Sequence, residues 1–235
     1  MSMSLHINRA SACCVAARWS WNRCRAKHLE MEACNNEMQH DVIFALGMPG
    51  AGKTTQCRKI AKEFGFRHIA VGELVRDKMK EDFDEKEDWQ GFIDKGQLLP
   101  SKYIVSLIKQ SMMEDNPSTN FIIDAFPGNP ENLRTWNSEM ADKMPLKFAL
   151  FFDCEEKTAE ARIMSRAQAG KRPDDCAEKI RLRHSTYRTE SQPVVDELVK
   201  LSKVRKIDAE KSAHEVFKAV TAVFQDAGYS RSGPL

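Results

Sequence analysis

The chain has no apolar run approaching the roughly 18 residues that a membrane-spanning helix needs. Although 42% of its 235 residues are hydrophobic, 30% are charged, which points to a single soluble core domain and no membrane partner. None of its seven cysteines forms a Cys-x-x-Cys pair, and no hydrophobic block of the secretory kind opens the chain, so neither a zinc ribbon nor a disulfide framework is expected. Cys13, Cys14, Cys24 and Cys34 fall at the start, while Cys57, Cys154 and Cys176 are dispersed and read as buried thiols of a reducing compartment. Surplus charge is also missing. Residues 1–38 hold five basic and three acidic groups, which already equals the chain's formal +2 and leaves the remainder balanced. A neutral remainder lacks the basic face that releases counterions from nucleic acid, so nucleic acid is excluded as a partner and a small substrate is expected. The first 29 residues contain no acidic group but several arginines, serines and alanines, the composition of an organellar transit peptide. The expected compartment is the cytoplasm, with a mitochondrial or other organellar alternative through residues 1–29. Met31 and Met38 offer later starts.

What is present is a phosphate-binding loop. Gly47 to Thr55 reads Gly-Met-Pro-Gly-Ala-Gly-Lys-Thr-Thr, between an apolar run (Asp41 to Leu46) and a helix-like stretch (Thr54 to Phe64). Glycines let successive backbone N–H groups turn inward around an anion, Lys53 supplies a point charge for the β- and γ-phosphates, and a threonine hydroxyl suits Mg²⁺. The helix behind adds its positive N-terminal end. Gly50, Ala51, Gly52, Lys53, Thr54 and Thr55 are therefore the candidate ATP-phosphate residues.

Apolar runs at Asp41–Leu46, Phe121–Asp124, Phe148–Asp153 and Val204–Asp208 alternate with longer amphipathic stretches. That alternation predicts right-handed β-α-β units, a parallel sheet buried on both faces and a ligand at the carboxyl ends of its strands. The expected fold is a three-layer α/β P-loop NTPase. Residues 1–38 read as an extension, 39–228 as the catalytic domain and 229–235 as a tail. Two segments look inserted: residues 71–100, mostly helical, with the charge run Lys78–Asp88 read as a solvated helix face, and a short loop at 169–175. No internal repeat or low-complexity tract is apparent.

Several motifs, in order and at spacing, carry a family likeness. Lys53-Thr-Thr-Gln-Cys57 is close to Lys-Gly-Thr-Gln-Cys; Val71-Gly-Glu-Leu-Val-Arg76 to Ser/Ala-Gly-Asp/Glu-Leu-Leu-Arg; Gly96-Gln-Leu-Leu-Pro100 to Gly-Lys-x-Val-Pro; Asp124-Ala-Phe-Pro-Gly128 to Asp-Gly-Phe-Pro-Arg; Arg172-Pro-Asp-Asp175 to Arg-x-Asp-Asp. From about Asp41 to Asp226 the chain resembles the nucleoside monophosphate kinases of the adenylate kinase superfamily. Asn132-Leu-x-x-Trp136-Asn, Leu150-Phe-Phe-Asp-Cys154 and Lys206-Ile-Asp-Ala209 are most like the UMP-CMP kinases within it.

The resemblance implies transfer of the ATP γ-phosphoryl group to a nucleoside monophosphate, with a helical acceptor-binding insert at 71–100 and a short lid at 167–176. Both reacting groups are anionic, so alignment and charge neutralisation do the work and no acid-base pair is required. Lys53 with lid arginines Arg166, Arg172 and Arg183 would be catalytic, since guanidinium forks bind phosphate oxygens bidentately and stay charged; Asp174 and Asp175 would hold Arg172 beforehand. Arg166 would also contact ATP, and Lys211 would offer its backbone carbonyl near adenine. Val71, Arg76, Gln97, Leu98, Leu99, Gly128 and Asn132, with Arg172 and Arg183, would form the monophosphate site. Mg²⁺ would sit near Thr54 or Thr55, with Asp124 as an outer carboxylate partly through water.

Asn132 bears on base choice. Its carboxamide both donates and accepts, which suits a cytosine or uracil edge, whereas adenylate kinases typically place glutamine there; the plainer reading is a helix cap. Val71 stands where adenylate kinases usually carry threonine. Arg162 reads as a helix-surface residue, and His68 and His184 lack a metal-spaced partner. Two departures stand out: Ala125 replaces a glycine, and Gly128 replaces the arginine that clamps the acceptor phosphate, leaving Arg76 and Arg134 as substitutes. The expected monomer thus acts on UMP or CMP; the alternatives are adenylate kinase acting on AMP and a catalytically weakened regulatory protein that binds nucleotide.

Overall fold

The structure, a computed structural model, describes residues 40–113, 120–168 and 176–231. In chain order its elements are β1 (Val42–Leu46), α1 (Lys53–Phe64), β2 (Arg67–Ala70), α2 (Val71–Lys78), α3 (Lys86–Asp94), α4 (Ser101–Met113), β3 (Phe121–Asp124), α5 (Pro130–Glu139), β4 (Leu146–Asp153), α6 (Glu156–Gln168) and α7 (Ala177–Thr186). A π-helical turn (Tyr187–Ser191), α8 (Gln192–Lys200), β5 (Val204–Asp208) and α9 (Ala213–Asp226) complete it. All four strand pairings are parallel, in the order β2-β3-β1-β4-β5.

Period-two alternation sorts β1 between two layers. Val42, Phe44 and Leu46 pack on one side with Ile123, Phe126, Trp136 and Val194. Ile43 and Ala45 pack on the other with Ile60, Ile122, Leu150, Phe217 and Phe224. Phe44 meets Phe126 and Trp136 edge-on, each at 5.4 Å between ring centroids. Burial on both faces explains why β1 is an unbroken apolar run. Among the described residues, no helix is long and apolar enough to cross a membrane.

Several sequence expectations shift here. β2 was missed: it is a four-residue edge strand in which only Ile69 is fully buried, so it carries too little hydrophobic signal to read. β4 begins at Leu146 rather than Phe148, because Lys147 interrupts the apolar run while the backbone ladder continues. The charge run Lys78–Asp88 is not one helix face; α2 ends at Lys78 and α3 starts at Lys86, with exposed pairs Lys78–Glu81 and Lys80–Asp77 at the turn. Cys57 and Cys154 are buried as expected, but Cys176 is exposed at the start of α7. Residues 1–38, the loop at 169–175 and most of the tail lie outside the described residues.

The order places β1 beside β3, and the chain leaves them in opposite directions: α1 leads to β2 on one edge, α5 to β4 on the other side. A crevice opens where connections diverge in this way, at the carboxyl ends of the strands.

Candidate active site

That crevice is a cleft of about 860 Å³ lined by the loop after β1, the end of β3 and faces of α1, α2, α6 and α7. Gly50 makes close approach possible: its φ is +95°, and a Cβ there would collide with the carbonyl of Ala159. Gly52, at φ 92°, precedes α1 with no side chain capping the first turn, leaving the helix's leading N–H groups to an anion. Lys53 Nζ donates back to the carbonyls of Gly47 and Met48 at 2.6 and 2.9 Å, bracing the loop. Burial lowers the Lys53 pKa to about 8; Arg183 and Arg166 push it the same way, and Asp124 opposes them.

Register sets the opposite wall. Ala45 pairs with Asp124, and Ala125 N–H donates to Ala45 O at 3.0 Å, so the Asp124 carboxyl sits beside the phosphate loop. Thr54 Oγ1 donates to Asp124 Oδ2 at 2.6 Å, and His68 Nε2 lies 3.5 Å from the same oxygen. Burial would raise the Asp124 pKa, but His68, Lys53 and Thr54 together outweigh it and hold the carboxyl below its ordinary value. Asp124 Oδ1 is buried and has no hydrogen-bond partner among the described residues. Cys57 completes a cluster in which its sulfur and ligand atoms of His68 and Asp124 lie within 4.8 Å of one another. The fold thus gives His68 a neighbourhood invisible in sequence spacing. Burial, then the Asp124 charge, pushes the Cys57 thiol far up and keeps it protonated, which makes it a poor metal ligand.

Arg162 corrects the sequence reading. Far from being a surface residue, it donates through Nη1 to Ala209 O at 2.8 Å and through Nη2 to Glu210 O and Lys211 O, each at 3.2 Å. It braces the loop after β5, where the Lys211 carbonyl was expected to meet adenine. Its spacing of four from Arg166 on one helix face was the available signal. His184, read from sequence as a satisfied or exposed histidine rather than a ligand, is a satisfied one. It is 1% exposed, donates through Nε2 to Pro49 O at 3.0 Å and sets Nδ1 3.4 Å from Glu156, joining α7 and α6 to the phosphate loop.

With the geometry in place, comparison with known proteins is decisive: the adenylate kinase family model matches residues 45–203. The chain belongs to the adenylate kinase family. It is 40% identical to the UMP-CMP kinase of Homo sapiens over 192 residues, 80% of this chain and 98% of that protein. It is 39% identical to the UMP-CMP kinase of Bos taurus and 36% identical to that of Gallus gallus, each over 196 residues, 81% of this chain and all of the relative. As a member it is a nucleoside monophosphate kinase, moving a phosphoryl group from ATP to a monophosphate acceptor.

Within this family member the cleft gathers Gly50, Ala51, Gly52, Lys53, Thr54, Thr55, Arg76, Leu98, Asp124, Gly128, Arg166, Arg183 and Lys211. Val71 and Leu99 are buried behind the wall and Gln97 is exposed outside it. Arg172, Asp174 and Asp175 lie outside the described residues. Asn132 is 3% exposed and does not line the cleft. Its Oδ1 accepts from Gly128 N at 3.0 Å and its Nδ2 donates to Ser101 Oγ at 2.8 Å, while Asn129, not Asn132, caps α5. Ala125 stands at φ 63°, a left-handed conformation that favours glycine. Arg134 is exposed on α5 and is not among the residues that line the cleft.

Proposed function

We propose that the acceptor is UMP or CMP. The observation that carries this reading is the pairing of one continuous cleft, phosphate loop at one end and Arg76, Leu98 and Gly128 at the other, with relatives named UMP-CMP kinase across their full length. ATP lies along the loop, with Lys53 tracking the migrating phosphoryl group and Arg166 and Arg183 neutralising its charge from α6 and α7. The family resemblance adds Arg172, which lies outside the described residues, to this set. Arg76 on α2 holds the acceptor phosphate in line, and the segment 71–100 forms the acceptor side.

Hard oxygen donors suit Mg²⁺, and Thr54 Oγ1 with the buried Asp124 Oδ1 supplies that donor set, Thr55 standing exposed beside them. When bound, the ion neutralises charge on the β- and γ-phosphate oxygens. Asp124, kept ionised by its neighbours, orients the Thr54 hydroxyl; Lys53 holds the loop shape through its two carbonyl bonds. Asn132, buried behind the acceptor wall, acts on the pyrimidine site through its neighbours, its Oδ1 holding the Gly128 N–H and its Nδ2 held on Ser101. The enzyme acts as a cytoplasmic monomer: one chain supplies both substrate walls, and its balanced charge gives nucleic acid no basic face.

A coupled assay of ADP formation with CMP, UMP, dCMP and AMP tests the reading. The pyrimidine monophosphates should give the highest kcat/KM, and Asn132→Ala should raise their KM far more than that of ATP. AMP as best acceptor would assign the chain to the adenylate kinase activity instead.

A further inference from the structure

A chain with glycine in place of a phosphate-clamping arginine has one fork fewer on its acceptor's anion, and Leu98 fills the space over Gly128: a Cβ there would meet its two terminal methyls at 3.1 and 3.4 Å. Arg58 is placed to act in compensation. It stands on α1, lines the cleft, and pairs through Nη2 with Glu73 Oε1 on α2 at 2.7 Å. Arg58, Glu73 and Arg76 also line a hollow of about 530 Å³, completed by Asp77 and Lys80. Glu73 and Arg76 are three residues apart and share one helix face. Arg58 therefore reaches the same patch of α2 from which Arg76 serves the acceptor.

The Arg58–Glu73 pair is solvent-screened, its side chains 63% and 39% exposed, and a pair of that kind binds weakly. A phosphate carries more negative charge than a carboxylate and accepts two parallel N–H bonds from one guanidinium. A phosphate therefore competes with Glu73 for the Arg58 guanidinium on the cleft side of α1.

We propose that Arg58 is a second arginine for the acceptor's phosphate, held on Glu73 and transferred to the phosphate as the monophosphate binds, in place of the arginine absent at Gly128. This rests on the reading of the α2 wall as the acceptor site. No bond is made or broken in the exchange; one ion pair replaces another.

The test combines steady-state kinetics with calorimetric titration of CMP and of cytidine, which lacks the phosphate. Arg58→Ala should raise the KM and Kd for CMP about tenfold, the loss of a hydrogen bond to a charged group, with the KM for ATP and the Kd for cytidine within about twofold of wild type. Arg58→Lys should recover part of the loss. Glu73→Gln separates binding from tethering: it releases Arg58, so CMP affinity should hold or rise. CMP binding by Arg58→Ala within about twofold of wild type overturns the proposal. So does Glu73→Gln weakening CMP as much as Arg58→Ala, because the pair would then be only a tether between α1 and α2. Failure of the unmutated protein to transfer phosphate to any monophosphate would instead strike the functional reading, while the titrations still decide the role of Arg58.

Discussion

Restoring the arginine at Gly128 puts the acceptor clamp to a direct test. Gly128→Arg inserts a side chain where the backbone is pinned from both sides: its N–H donates to Asn132 Oδ1 at 3.0 Å and its carbonyl accepts from Ser191 Oγ at 2.7 Å. The residue is not in the left-handed region, and the new Cβ would meet Leu98 Cδ1 at 3.1 Å, Asn132 Oδ1 at 3.3 Å and Leu98 Cδ2 at 3.4 Å. Flexible side-chain ends can give by a few tenths of an ångström, at about 0.5–1.5 kcal/mol for a displaced Leu98 rotamer. A charge-assisted bond to phosphate contributes about 1.5–3 kcal/mol. The middle of the difference, about 1–1.5 kcal/mol, is close to a tenfold gain in kcat/KM for CMP. ATP constants should barely change, since Gly128 faces the acceptor wall. The coupled ADP assay with CMP varied at saturating ATP reads the gain, and a melting curve guards against misfolding. In the Arg58→Ala background the gain should be larger, because two guanidiniums no longer compete for one phosphate. A well-folded Gly128→Arg protein with unchanged or lower kcat/KM for CMP would refute the placement of this residue at the acceptor phosphate.

Lys53→Ala should cut kcat by about 10²–10³-fold without lowering the melting temperature, because it removes a desolvated cation; undiminished turnover would remove Lys53 from the chemistry. Arg162→Leu abolishes the bonds to Ala209, Glu210 and Lys211 and should raise the KM for ATP about tenfold while sparing CMP; equal effects on both substrates would show a global defect. For Lys53, whose pKa of about 8 lies below the ordinary 10.5, the two linked pH effects run in opposite directions. Between those values the unfolded chain binds more protons, so the destabilisation from its buried charge is complete below about pH 8 and is relieved as pH rises. The phosphate-binding charge is lost over the same range, so kcat/KM for ATP should fall above about pH 8 in profiles of the free enzyme. A flat profile from about pH 7 to 9.5 would contradict the depressed Lys53.

Local chemistry made much of this protein legible in one dimension. The phosphate loop is contiguous, so its glycines, Lys53 and threonines announce the ligand without any folding information. β1 and the central strands are buried on both faces, and double burial writes itself as uninterrupted apolar runs such as Val42–Leu46. Motif order carried the family because the segments that line the cleft, from Gly47 to Lys211, each hold a short contiguous motif. Tertiary structure decided what depends on distant partners. β2 is an edge strand held by its pairing with β3, and four residues with one buried side chain give no periodic signal. Arg162 differs from a surface arginine only because β5 brings the carbonyls of Ala209 to Lys211 against α6. Asn132 was legible as an amide, but its burial against Gly128 and Ser101 depends on α4 packing beside α5. Arg134 and Arg58 are both exposed arginines in sequence terms; the helix that carries each one decides that Arg58 enters the cleft and Arg134 does not. Sequence fixes which groups a chain owns, and folding fixes the neighbours that charge, hydrogen bonding and burial act through.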